Sequence, residues 1–362
     1  MKALYLNLLL LIAQLAFAQK RVTVKINKNV EIFNALAVQN TTNWLKDTLT
    51  NPNFMATSVL MRRSYHHFQS AQNHPIFTPY KRLEDKIGTG VYLLSFYYTD
   101  VPNAQRKAPV SEVILRELHP NKDSAQYLVD SFMRQLNQFY RDVQFDKFVA
   151  ENQYVYQKAL TEASQNLPDA SFIPVLEAYY GATKHGYHII LNPFFNTDWG
   201  MGWEIASKDG MDIYNITSPL SKPTIGEDQR IVSPGFNNAP EIRRLSVHEF
   251  GHSFVNPLAN QTGYKTQIER FNNLYEPIEG QQQYRDWHTQ FCEYVVRAGE
   301  VRIALAMNDP AAARATEVRD AKWRYLPHFV NQLTYYEQNR KRYPTFEAFF
   351  PDLIASLAKI NK

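Results

Sequence analysis

The chain has 362 residues, 44% hydrophobic and 20% charged, which is enough to build a packed core and too apolar for a disordered polymer. Thirty-nine Lys plus Arg against 35 Asp plus Glu leave a formal charge of +4, too small and too dispersed to imply a nucleic-acid or membrane-surface partner. The one cysteine, Cys292, excludes an internal disulfide, so any metal must rely on His and carboxylates.

Residues 1–18 read as an export signal: Lys2, an apolar stretch from Leu8 onward, then Ala16-Phe17-Ala18 ahead of Gln19. The stretch is shorter than the ~20 residues that span a bilayer, and no later segment is apolar enough to do so. The expectation is cleavage near Ala18 and an exported protein, periplasmic or extracellular, without a membrane anchor. Residues 19–170 read as a mainly helical N-terminal region introduced by a short strand, Arg21 to Ile26. Ser124 is the expected cap of a helix carrying Leu128, Phe132, Leu136 and Phe139. Phe145, Phe148, Val149, Tyr156 and Leu160 continue the helical spacing. His66, His67 and His74 lack partners at metal spacing and read as core or surface residues.

From 171 to 362 the pattern changes. A helix from about Ile173 to Tyr180 should stop at Gly181, and the strand formers Tyr187 to Leu191 should follow, ending at Asn192-Pro193. Phe194 to Ala239 is rich in Gly and Pro and reads as turns with short strands such as Tyr214 to Ser218. Asn238 can cap a helix from Pro240 to Asn256, with Pro257 expected to end it, and a second strong helical run covers about Tyr284 to Met307.

The first of these helices holds His248-Glu249-Phe250-Gly251-His252. Histidines four apart stack on one helix face, where two imidazoles can ligate one cation in the geometry zinc prefers. Glu249, ~100° round the helix, can reach a water on that metal without becoming a ligand. Zinc lowers the pKa of its water toward ~7, and a carboxylate beside it can take the proton as the water attacks a carbonyl.

A catalytic site needs a third protein ligand and an open position. Glu269, Glu276 and Glu279 lie in a broken stretch, whereas Glu293 and Glu300 lie in the later helix. There Trp287, Phe291, Tyr294, Ala298, Val301 and Leu305 make one apolar face, and Cys292, Val296, Ile303 and Ala306 make another. Glu293, Arg297 and Glu300 form a polar stripe between them, and charges so enclosed need a partner. Glu293 is the favoured third ligand and Arg297 its orienting partner. Glu300 is either a reserve ligand or a carboxylate supporting one of the histidines.

These residues resemble the zincin metallopeptidases, in the gluzincin-like branch, over about Gly181 to Leu305. The layout also resembles a family of secreted bacterial proteins known only by a domain of unknown function, with a His-Glu-Phe-Gly-His-Ser-Phe-Val-Asn-Pro helix and a later Glu-x-x-x-Arg-Ala helix. The resemblance implies an α+β fold: a zincin-like domain of a small mixed sheet, an active-site helix and a helical C-terminal part, preceded by the helical N-terminal half. It implies Zn2+ on His248, His252 and Glu293, with Glu249 as general base. It also implies that the strand Tyr187, His188, Ile189, Ile190 and Leu191 pairs with extended substrate. Tyr264, Tyr275, His328 and Tyr335 are candidates for stabilising the developing oxyanion.

The function expected is a secreted zinc metallopeptidase acting on a peptide or protein. The alternative is a non-catalytic extracytoplasmic peptide- or glycan-binding protein with a structural or vestigial zinc site. A non-peptidase reaction is a third reading, because motif fixes water activation better than substrate.

Overall fold

The computed structural model describes residues 22–40, 59–194, 200–228, 230–279 and 284–360. The export segment expected at residues 1–18 lies outside the described residues. The fold is mixed α+β, with fourteen α-helices and two small sheets among the described residues.

The main sheet has four strands in the order β1-β2-β4-β3: β1 (Val22–Lys25), β2 (Gly186–Leu191), β3 (Gly200–Ser207) and β4 (Gly210–Thr217). The β1–β2 and β2–β4 pairs are parallel, and β3 runs antiparallel to β4. Successive side chains point to opposite faces of a strand, and the two faces meet different cores. Ile190, Tyr214 and Ile216 join a cluster with the N-terminal helices, while Tyr187, Ile189, Leu191 and Ile213 join a cluster with the C-terminal ones. The sheet is therefore the partition between two helical layers. The N-terminal region itself contributes β1 to it.

The N-terminal layer comprises α1 (Lys28–Asn40), α2 (Val59–His67), α3 (Phe77–Ile87), α4 (Glu112–Leu118), α5 (Lys122–Asp142), α6 (Phe145–Glu151) and α7 (Gln153–Gln165). The α5 cap is Asn121 rather than Ser124: its side chain accepts from the Ser124 N–H at 2.8 Å, because an Asx side chain three residues upstream reaches that donor first. In α8 (Phe172–Tyr180) the expected stop holds, with Gly181 at φ 66°, the left-handed conformation that suits glycine.

In the C-terminal layer, α9 (Ala239–Ala259) crosses α11 (Trp287–Ala306). The remaining helices are α10 (Thr262–Glu269), α12 (Pro310–Arg319), α13 (Leu326–Gln338) and α14 (Phe346–Ser356). Asn238 caps α9 by accepting from the Glu241 N–H, as expected. Pro257 does not end the helix, which runs on to Ala259. A proline removes the donor that would reach the carbonyl four residues back, here Ser253. Lys184 supplies the missing donor: its ammonium bonds the Ser253 carbonyl at 2.7 Å and pairs with Glu204 at 2.9 Å.

Helix α11 is enclosed on both apolar faces for most of its length, with Tyr294 stacked on Phe329 at 5.1 Å. Only the last turn departs from that reading: Leu305 and Ala306 are exposed, since the helix runs out of the core there. At the α9–α11 crossing the Tyr180 hydroxyl is wedged against both backbones. A Cβ added at Gly251 would stand 3.1 Å from that oxygen, and one at Gly299 would stand 3.0 Å from it. Side-chain-free positions let the two functional helices approach closely.

Candidate metal centre

His248 and His252 project from α9 toward Glu293 on α11, and all three are largely or wholly buried. Their ligand atoms lie within 4.8 Å of one another. The two Nε2 atoms are 3.2 Å apart. From the Glu293 carboxylate, one oxygen is 3.2 Å from His252 Nε2 and the other is 3.6 Å from His248 Nε2.

The outer nitrogens are committed elsewhere. His248 Nδ1 bonds Glu300 Oε1 at 2.7 Å, and His252 Nδ1 faces Asn256 Oδ1 at 3.2 Å. An Nδ1–H given to an oxygen leaves the Nε2 lone pair facing inward. Two such lone pairs facing each other beside a carboxylate form a donor set that could hold a metal ion. Burial alone lowers the His252 pKa, but Glu293 and Glu249 outweigh it and hold the imidazole up at about 9. Burial raises Glu293, and His252, His248 and Arg297 overturn that and hold its carboxyl at about 2. The pocket thus favours positive charge. A nitrogen, nitrogen and oxygen donor set of this kind suits zinc.

The carboxylates of α11 are held from behind. Arg297 donates to Glu293 at 3.1 Å and to Asp320 at 3.0 Å, with its guanidinium 4.4 Å from the Trp323 ring centre. Glu300 accepts from Arg319 at 2.9 Å, and Arg244 stands 3.8 Å away. Of the two roles open to Glu300, the geometry gives it that of a support for His248.

Glu249 is buried beside the cluster, under the edge strand β3. A Cβ added at Gly200 would meet its carboxylate at 2.6 Å, and one at Gly202 would meet its backbone carbonyl at 2.4 Å. Glycine at both positions lets the strand lie directly on the helix. Burial pushes the Glu249 carboxyl up, opposed in part by the histidines and the Gly202 N–H. A carboxylate with a raised pKa is the better proton acceptor.

The family described as "Domain of unknown function (DUF4932)" matches residues 22–356. The chain belongs to that family. No curated protein and no solved structure matches it. The DUF4932 match runs through both helical layers and includes every residue of the cluster.

The strand expected to hold substrate is placed otherwise. In this DUF4932 chain Tyr187, His188, Ile189, Ile190 and Leu191 form the inner strand β2, hydrogen-bonded to β1 on one side and β4 on the other. No backbone edge remains there for strand addition. The strand over α9 is β3, which pairs only with β4 among the described residues. Its Gly-rich sequence read as a turn region, which hid it. Three of the oxyanion candidates are engaged within the C-terminal layer. His328 bonds Ser356 at 2.9 Å, Tyr264 packs edge-on against Phe350, and Tyr335 packs against Phe349. Tyr275 packs at the margin of the same apolar cluster. Unforeseen were Asn256, Asp320, Arg319 and the two β3 glycines. Only Asn256, one turn from His252, was within reach of helical spacing.

Proposed function

We propose that the chain is an exported zinc-dependent hydrolase with a zincin-like arrangement, cleaving peptide bonds. The observation that carries this reading is the convergence of His248, His252 and Glu293 with a second acid, Glu249, buried alongside and bonded to none of them. The His-Glu-x-x-His helix beneath an edge strand of a mixed sheet, with the acid of the cluster, Glu293, on a later helix, supports the same architecture. Zinc, when bound, supplies Lewis acidity that polarises a carbonyl and acidifies water.

The chain's own residues do the rest. Glu300 and Asn256 fix the imidazole tautomers so that both Nε2 atoms face the site. Arg297 orients the Glu293 carboxylate. Glu249 accepts the proton of the attacking water and returns it to the leaving nitrogen. The edge of β3 away from β4, which pairs with no other strand among the described residues, offers backbone donors and acceptors to an extended peptide, which favours a polypeptide over a compact small molecule.

The test is elemental analysis of the purified protein, then digestion of a peptide library with and without chelator. One equivalent of zinc and chelator-sensitive cleavage are expected. Glu249→Gln should keep the zinc and lose at least ~100-fold in rate. Cleavage by that variant at the wild-type rate overturns the mechanism.

A further inference from the structure

A chamber of about 330 Å³ lies between the N-terminal half of α9 and the C-terminal half of α11, with α12 along its side. It contains none of the three converging residues of the metal centre, and Glu300 stands between the two sites. The volume falls at the lower end of the ~300–1,000 Å³ range of small-molecule pockets. Val247, Ala304, Met307 and Ala315 give it apolar walls, and the polar groups are concentrated in Arg244, Arg319 and Glu300.

Hydrogen-bond accounting sets the ligand chemistry. Both Glu300 oxygens are engaged, one by His248 and the other by Arg319. Glu241, also at the chamber, accepts from Arg244 Nε at 2.7 Å. Each of these carboxylates is therefore already paired with a cationic group. Each guanidinium carries five N–H donors, and Arg244 spends its Nε on Glu241 while Arg319 spends Nε and Nη2 on Asp320 and Glu300. Arg244 Nη2 and Arg319 Nη1 carry donors beyond these bonds, and Arg244 Nη1 stands 3.8 Å from Glu300. An apolar enclosure with surplus guanidinium donors at one end selects a ligand with an acceptor-only head and a hydrocarbon body.

We propose that this chamber binds a small carboxylate with an aliphatic body, its head on Arg244 and Arg319 and its chain along Val247, Ala304 and Met307. The same chemistry can come from a medium-chain fatty acid or from the C-terminal leucine of a peptide. Neither source requires zinc in the neighbouring site, so the proposal stands or falls separately from the hydrolase reading.

The experiment is calorimetric titration of the metal-free full chain with octanoate, with N-acetylglycyl-leucine and with octan-1-ol. At least one of the two carboxylates should bind with a Kd of about 1 mM or tighter, and octan-1-ol should bind at least tenfold more weakly. Ala315→Trp, on the exposed side of α12, fills the chamber and should weaken carboxylate binding at least tenfold. Ala312→Phe provides a second filled variant should the first fail to fold. Octanoate binding alone identifies the fatty-acid source, and binding of the dipeptide alone identifies the peptide source. Failure of both carboxylates at that concentration, equal binding of octan-1-ol, or wild-type binding by a folded filled variant overturns the proposal.

Discussion

Glu300 in the C-terminal layer and Glu31 in the N-terminal layer are both sealed from solvent, yet the two carboxyls are driven in opposite directions. Burial acts to raise both. At Glu300 the hydrogen bond and charge of His248, followed by Arg319 and Arg244, overturn it and hold the group well below the usual carboxylate range. Glu31 sits on α1, a helix buried on nearly every side, and neither of its oxygens has a partner at hydrogen-bond geometry. Burial pushes it up to about 8, the Tyr156 hydroxyl offsetting only part. What differs is the supply of cationic partners, the His248 imidazole first and guanidinium groups after it. The layer carrying the candidate chemistry surrounds its acids with Arg244, Arg297 and Arg319, while the other leaves its acid to be protonated.

The sharpest way to break this contrast is Glu293→Ala. Removing the carboxylate takes away the proposed third ligand and leaves Arg297 buried with Asp320 as its carboxylate partner. Stoichiometric zinc should be lost by elemental analysis, and retention of one tight equivalent would remove Glu293 from the ligand set. Next in size is Glu31→Gln. The folded chain keeps a proton that the unfolded chain releases above about 4.5. This group's contribution is therefore fully present below that pH, falls by up to about 1.4 kcal/mol per pH unit on rising toward 8, and changes no further above it. Urea unfolding at pH 5, 6, 7 and 8 should give a variant that gains on the wild type steadily across that window. A constant difference would mean that Glu31 is ionised in the fold.

Glu300→Gln tests the other member of the pair. It removes the charge behind His248 but keeps the shape, so zinc affinity in a competition assay should drop by roughly 10–100-fold while the fold survives. Unchanged affinity would make Glu300 a purely structural acid. The smallest effect belongs to Lys184→Met, which leaves the Ser253 carbonyl without the donor that Pro257 cannot supply. A loss of about 1–2 kcal/mol in thermal or denaturant unfolding is expected. No loss would show that water replaces the ammonium.

Much of the centre was legible in the sequence, and the reasons are local. The stacking of His248 on His252 and the enclosure of Glu293, Arg297 and Glu300 follow from helical period and from the apolar residues on either side. The helix stop at Gly181 and the helix start at Asn238 follow from local capping preferences. What escaped depends on contacts between distant segments. Nothing near Gly202 announces that it will lie on Glu249, and nothing near Arg319 announces Glu300. Pro257 shows the same limit in reverse: its breaking tendency is real, but a lysine some seventy positions earlier in the chain cancels it. The strand formers at 187–191 mark a strand but carry no sign that it is an inner one, because strand order is a property of the whole sheet.

The pairing of Val22 with Tyr187 also bears on how the molecule comes into being. During synthesis the opening strand emerges long before its neighbour, so its hydrogen-bonding groups must wait, solvated or transiently shielded, until β2 has left the ribosome. Long sequence separation of this sort slows folding and lengthens exposure of an unpaired edge. A fragment beginning near residue 171 would inherit the converse difficulty, a bare β2 flank that invites self-association.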